Sequence, residues 1–126
     1  MALVRAIPLV NALASALSTT DVSTGYNFPP STGATPNKVY GALHLSSAFN
    51  STARVLSLVI QSASSSGFPA GVANRITFTL TTSEGAQWGT PSAVSTDQPW
   101  WRASWTMSTV ASTGGAWKFL THFGLK

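Results

Sequence analysis

The sequence predicts an all-β protein, an antiparallel β-sandwich of jelly-roll type with an extended N-terminal arm. Three observations carry that reading. Hydrophobic residues alternate at period two through about five segments and two or three weaker ones, spaced about 8–12 residues apart. Clusters of Ser, Thr, Gly and Pro separate these segments. No stretch sustains the 3.6-residue period of a helix.

Residues 1–20 are apolar but irregular. Ala12 to Leu17 suits a helical turn or a strand with Leu13 and Leu17 on one side. Pro8 and Asn11 interrupt the apolar run, which favours an arm plus a first strand over a signal peptide ending near Ala14-Ser15-Ala16. Asp21 to Asn37 holds Gly25, Pro29, Pro30, Gly33 and Pro36 and is expected as a long loop. Residues 1–38 are thus expected to be arm and loop, with a first strand possible within them, and 39–126 the sandwich core. Deleting residues 1–20 is expected to leave that core folded.

Lys38 to Ser47 places Val39, Gly41, Leu43 and Leu45 on one face and Tyr40, Ala42, His44 and Ser46 on the other. Ala53 to Ser62 is apolar on both faces, as a central strand would be. Arg75 to Thr82 alternates cleanly, with Ile76, Phe78 and Leu80 inward and threonines outward, where a branched Cβ packs on the pleat. Short pairings are expected at Ala86-Gln87-Trp88 and Ala93-Val94-Ser95. Trp100 to Met107 holds three of the five tryptophans and points Trp101, Ala103, Trp105 and Met107 one way. Each buried aromatic removes about 150–250 Å² from water, so this strand is expected to anchor the core. A loop with Gly114-Gly115 precedes a last strand, Ala116 to Leu125, with Trp117, Phe119 and Phe123 on one face.

A chain of 126 residues supports one domain. It is 44% hydrophobic and only 8% charged, so its surface must be covered with hydroxyls and amides. Such a surface costs little to desolvate and suits a chain packed against other chains. The net charge of +4 comes from seven scattered cations and few acids. No basic cluster is present, which argues against a nucleic-acid partner. No apolar run approaches the roughly 20 residues of a membrane-spanning helix. The lack of cysteine excludes disulfides, thiol catalysis and thiolate metal sites.

Catalytic chemistry is poorly supplied. Asp21, Glu84 and Asp97 fall in expected turns, far apart. His44 and His122 sit on expected strands, and no Gly-x-Ser-x-Gly elbow or phosphate-binding glycine loop accompanies them. Five scattered His, Asp and Glu residues do not make a zinc site. No enzyme, cofactor or metal is expected. Arg75 and Arg102 are expected to bond backbone carbonyls, stack on rings, or pair with Asp97 or Glu84. Trp88, Trp100 and Trp117 suit the core or an interface, or else an exposed platform on which sugar rings stack, as in a carbohydrate-binding module.

Several segments resemble small structural proteins of tailed bacteriophages, of the β-sandwich capsid decoration or "cement" type. They are Leu58-Val59-Ile60-Gln61-Ser62 with Ser66-Gly67-Phe68, then Asn74 to Thr79, Trp101 to Thr106, and Trp117-Lys118-Phe119 through Leu125. The resemblance covers roughly residues 39–125; Val110 to Ala116 is longer and richer in glycine than the family's last turn. It implies a non-enzymatic protein, assembled in the host cytoplasm, that binds the major capsid protein on the outer shell of the virion, as a homotrimer. A tail or fibre component is the neighbouring possibility. The candidate intersubunit and capsid contacts are Arg5, Tyr26, Phe28 and Lys38, with Trp88, Trp100 and Arg102.

Overall fold

The structure, a computed structural model, describes residues 6–11, 21–27, 38–47, 56–69, 71–78, 85–89, 92–93, 98–107 and 118–125. Ten strands run through them: β1 (Ala6–Asn11), β2 (Asp21–Val22), β3 (Tyr26–Asn27), β4 (Lys38–Ser47), β5 (Leu56–Ala63), β6 (Ala73–Thr77), β7 (Gly85–Trp88), β8 (Ser92–Ala93), β9 (Trp100–Met107) and β10 (Lys118–Leu125). The described residues contain no helix. The fold is all-β, with two antiparallel sheets packed face to face.

The first sheet runs β1–β10–β4–β7, with β8 continuing beside β4 on the edge that β7 occupies. The second runs β2–β9–β5–β6, with β3 continuing beside β9 on the β2 edge. Each broken edge acts as one strand. The chain then pairs its first strand with its last, its second with its next-to-last, and so inward to the neighbours β5 and β6.

The inner layer follows the alternation in the sequence. On β9, Trp101 and Ala103 are fully buried and Trp105 nearly so, while Trp100, Arg102 and Ser104 on the other face are half-buried. Trp101 stacks on Phe123 of β10, with ring centroids 5.0 Å apart. Trp105 meets Phe119 edge-on at 5.8 Å. The two pairs join the sheets, since β9 belongs to one and β10 to the other. Such offset and edge-on pairs each add about 0.5–1.5 kcal/mol beyond the area they bury.

Gly41 lets the sheets approach. A Cβ there would stand 2.6 Å from Ile60 Cδ1 and 2.9 Å from Ile76 Cδ1, both on the opposite sheet. The glycine on the inner face of β4 thus makes room for two isoleucines. Gly89, just past β7, faces Ile76 in the same way.

Some elements differ from expectation. β5 is central, but it is not apolar and buried on both faces: Leu56, Leu58, Ile60 and Ser62 are buried on the inner face, whereas Ser57, Val59 and Gln61 are half-buried on the outer face. An antiparallel sheet can leave that face partly wet. β6 is shorter than expected and ends at Thr77, although the Phe78 amide still donates to the Leu58 carbonyl. Leu80, Val94, Ser95, Trp117 and the loop at Gly114-Gly115 lie outside the described residues.

The N-terminal part is built into the sandwich. β1 pairs with β10, and Ile7 and Val10 enter the core at 3% and 9% exposure. Pro8 faces outward on this edge strand, where a missing amide donor is tolerated. Where a loop is expected from Asp21, residues 21–27 line β9 in two short pairings, and the Ser23 amide donates to the Ala103 carbonyl between them.

Two predictions follow from this packing. Deleting residues 1–20 removes Ile7 and Val10 from the core and bares the edge of β10. Burial of each such side chain is worth about 1.5–3 kcal/mol, so the truncated chain should unfold at clearly lower urea than the full chain. An equal midpoint would mean that β1 adds nothing. Thr121 has the opposite sign: it is fully buried, and its Oγ1 has no hydrogen-bond partner. Thr121→Val should raise stability by about 1 kcal/mol, read as a higher thermal midpoint.

Candidate functional site

The polar groups between the two sheets gather at Arg75. β6 carries a bulge: Ile60 pairs with Ile76 and Gln61 with Asn74, so Arg75 is the extra residue. A bulge re-aims a side chain, and here the guanidinium reaches inward past its own strand. Its Nε donates to Ser62 Oγ at 2.7 Å, Nη2 to Gln98 Oε1 at 2.6 Å, and Nη1 to the Ala93 carbonyl at 3.1 Å. Ser62 is completely buried and donates its own proton to Gln98 Oε1 at 2.8 Å. Gln98 in turn donates to the Gly71 carbonyl at 3.2 Å. Arg75 thereby ties β6 of one sheet to β8 of the other. This latch uses the whole fork and is structural.

A second cluster covers the outer face of the second sheet. The turn after β5 lays Phe68 back onto that face, where its ring is 8% exposed and lies 4.3 Å beneath the Arg102 guanidinium. Phe68 adopts φ +45°, a left-handed conformation that costs a non-glycine residue energy; burial of the ring and its cation–π contact offset that cost. Arg102 Nε also donates to Gln61 Oε1 at 2.9 Å. Gly25 sits so close that a Cβ would stand 2.9 Å from Phe68 and 3.7 Å from Trp100. Trp100 and Arg102 are therefore engaged by their own chain. Sequence reasoning left both arginines to bond carbonyls, stack on rings or pair with Asp97 or Glu84; the structure gives Arg102 a ring and Arg75 a carbonyl, and the partners Phe68, Gln98 and Ser62 were not foreseen. Glu84 and Asp97, the alternative partners, lie outside the described residues.

The outer face of the first sheet is different. Register aligns Pro8, His122, Ala42 and Trp88 in one row across β1, β10, β4 and β7. Leu120, His44 and Ala86 form the next row. Trp88 is 81% exposed, the largest value among the exposed large hydrophobic side chains. Ala42 also points outward yet is only 6% exposed, so it forms the floor between larger neighbours. Tyr40 and His122 are half-buried, and His44 and Lys38 are exposed.

The candidate contact residues thus divide between two places. Trp88 and Lys38 lie on the outer face of the first sheet. Trp100 and Arg102 lie on the outer face of the second, with Tyr26 exposed on its edge beside Trp101. Trp88 and Trp100 cannot form one platform, because the sandwich stands between them. Arg5, Phe28 and Trp117 lie outside the described residues. Asp21, expected in a turn, instead begins β2 opposite Trp105; it is exposed, and its Oδ1 accepts from the next amide at 2.8 Å. Among the described residues no three His, Asp or Glu side chains converge as metal ligands would. Comparison of the chain with protein-family models, curated proteins and solved structures finds no match.

The latch generates a prediction. Arg75→Lys keeps the charge but cannot supply the three-armed fork. It should leave Ser62 or Gln98 short of a donor and cost about 1–3 kcal/mol in chemical denaturation, whereas Asn74→Ala at the exposed neighbouring position should cost well under half of that.

Proposed function

We propose that the chain is a structural protein of a tailed-phage virion, a decoration or cement protein that binds the outer surface of the capsid and stabilises the shell. The observation that carries this reading is the strand order. Pairing first with last and second with next-to-last, in two four-strand-wide sheets, supports a jelly roll, the double-sheet arrangement common in viral capsid proteins. The described polar residues support the same reading from another side. Buried Ser62, with Arg75 and Gln98, forms a latch that ties the two sheets together. A rigid body with a sparsely charged exterior suits attachment to a lattice. Many copies on one lattice raise each other's effective concentration, so individually weak contacts suffice.

The edge formed by β2 and β3 is the surface we assign to the shell or to a neighbouring copy. Val22 and Tyr26 stand there at 42% and 39% exposure. A short strand edge flanked by two apolar side chains can accept main-chain pairing from another chain. The proposed partner is the major capsid protein, and the proposed assembly is a homotrimer. A tail or fibre position is the second reading, since the same edge serves either lattice.

Electron microscopy of the phage particle, with and without the gene for this chain, tests the proposal. The expected result is density on the outer shell that vanishes in the deletion, with earlier heat-induced shell rupture. Density on the tail selects the second reading, and purified particles that lack the chain altogether refute both.

A further inference from the structure

The outer face of the first sheet carries a separate function. We propose that it binds an anionic saccharide, one sugar ring stacking on Trp88 while its carboxylate or sulfate groups meet the basic side chains around it.

Shape is the first argument. Ala42 has Trp88 and His122 directly opposite it on the two flanking strands and is itself almost fully covered. Opposed residues in antiparallel sheets stand about 4.5–5.5 Å apart, so the backbones carrying the two rings are about 10 Å apart. Along β4, Tyr40 and His44 lie two residues to either side of Ala42, about 7 Å away each way. The exposed indole of Trp88 offers a flat face on which one pyranose ring can stack. Two imidazoles and a phenol stand on the same face. An indole face carries partial negative charge, and the axial C–H groups of a sugar carry partial positive charge. The imidazoles and the phenol offer donors and acceptors to hydroxyls. A protein partner would call for a broader apolar centre than one tryptophan among polar rings.

Charge is the second argument. The five strands of this sheet contain Lys38, Lys118, His44 and His122, and not one Asp or Glu. Lys38, His44 and His122 occupy outward positions in the register, His44 opposite Leu120 and His122 opposite Ala42, while Lys118 stands at the register shift beside Ser47. In a chain with only seven Lys and Arg, a face that holds Lys38 and both histidines, with no acid among its described residues, favours anions. Exposure is the third. The outer face of the other sheet is covered by Phe68 from its own chain, whereas Trp88 at 81% exposure is left uncovered.

The inference does not rest on the virion reading, and the test uses the isolated chain. Titration calorimetry would compare a galacturonate hexamer (carboxylated), a heparin-derived hexamer (sulfated) and maltohexaose (neutral), each against wild type, Trp88→Ala, Lys38→Glu and, on the opposite face, Trp100→Ala. One or both acidic hexamers should bind, and the neutral one at least about tenfold more weakly. Trp88→Ala and Lys38→Glu should each weaken binding by about tenfold or more with an unchanged circular-dichroism spectrum, because both side chains are exposed. Binding should fall as NaCl rises from about 50 to about 500 mM. Carboxylate-only or sulfate-only binding identifies the acidic group. Equal affinity for maltohexaose, undiminished binding by Trp88→Ala, or no binding to either acidic hexamer would overturn the proposal. So would loss of capsid attachment in Lys38→Glu without any saccharide binding, which would make this face a protein-docking surface.

Discussion

The structure depends on one aromatic seam between its sheets. Trp101 stacks on Phe123, and Trp105 meets Phe119. The spacing is four residues on both strands, in opposite directions, so β9 and β10 run antiparallel across the layer as well as in order along the chain. The seam fixes register in both sheets. A slip of one residue on β9 would turn Trp100 and Arg102 inward and put Trp101 in water. The same seam explains Gly41: with bulky rings on one side of the layer, the isoleucines Ile60 and Ile76 need the space that a side chain on β4 would take.

From this seam the distribution of polar chemistry follows. The interior is apolar except for Ser62 and Thr121 among the described residues. Ser62 is answered by the bulged Arg75, which closes one end of the sandwich by spanning from β6 to β8. Arg102 cannot turn inward past its tryptophan neighbours, so it lies on the outer face of the second sheet, over the Phe68 ring. Each sheet's outer face then has its own character among the described residues: one carries Phe68 from its own turn against Arg102, the other the exposed Trp88 with His44, His122 and Lys38.

Much of this was legible from alternation alone. Period two located β4, β5, β9 and β10, and it grouped Val39, Leu43 and Leu45, Trp101 and Trp105, and Phe119 and Phe123 each on one face of their strand, without deciding which tryptophans are buried. Three things were not legible, each for a physical reason. The pairing of β1 with β10 joins residues more than a hundred positions apart, and periodicity carries no information about which strands meet. The run from Asp21 to Asn27 reads as loop because it makes two pairings of two residues each, too few for alternation to show. The inward turn of Arg75 arises from a bulge, which shifts a residue off its expected face without altering composition. For the site, the exposure of Trp88 could not be told from a core role, since both suit tryptophan; only its position on a short edge strand separates it from Trp101.

The central claim is that the tryptophans divide by face, with Trp101 and Trp105 forming the seam and Trp88 facing solvent. Hydrogen exchange of the indole N–H groups, followed by NMR with each tryptophan assigned, measures this directly. Trp88 should exchange at close to the rate of a free indole, while Trp101 should exchange only through unfolding of the whole domain. Comparable protection of Trp88 and Trp101, or fast exchange at Trp101, would contradict the account.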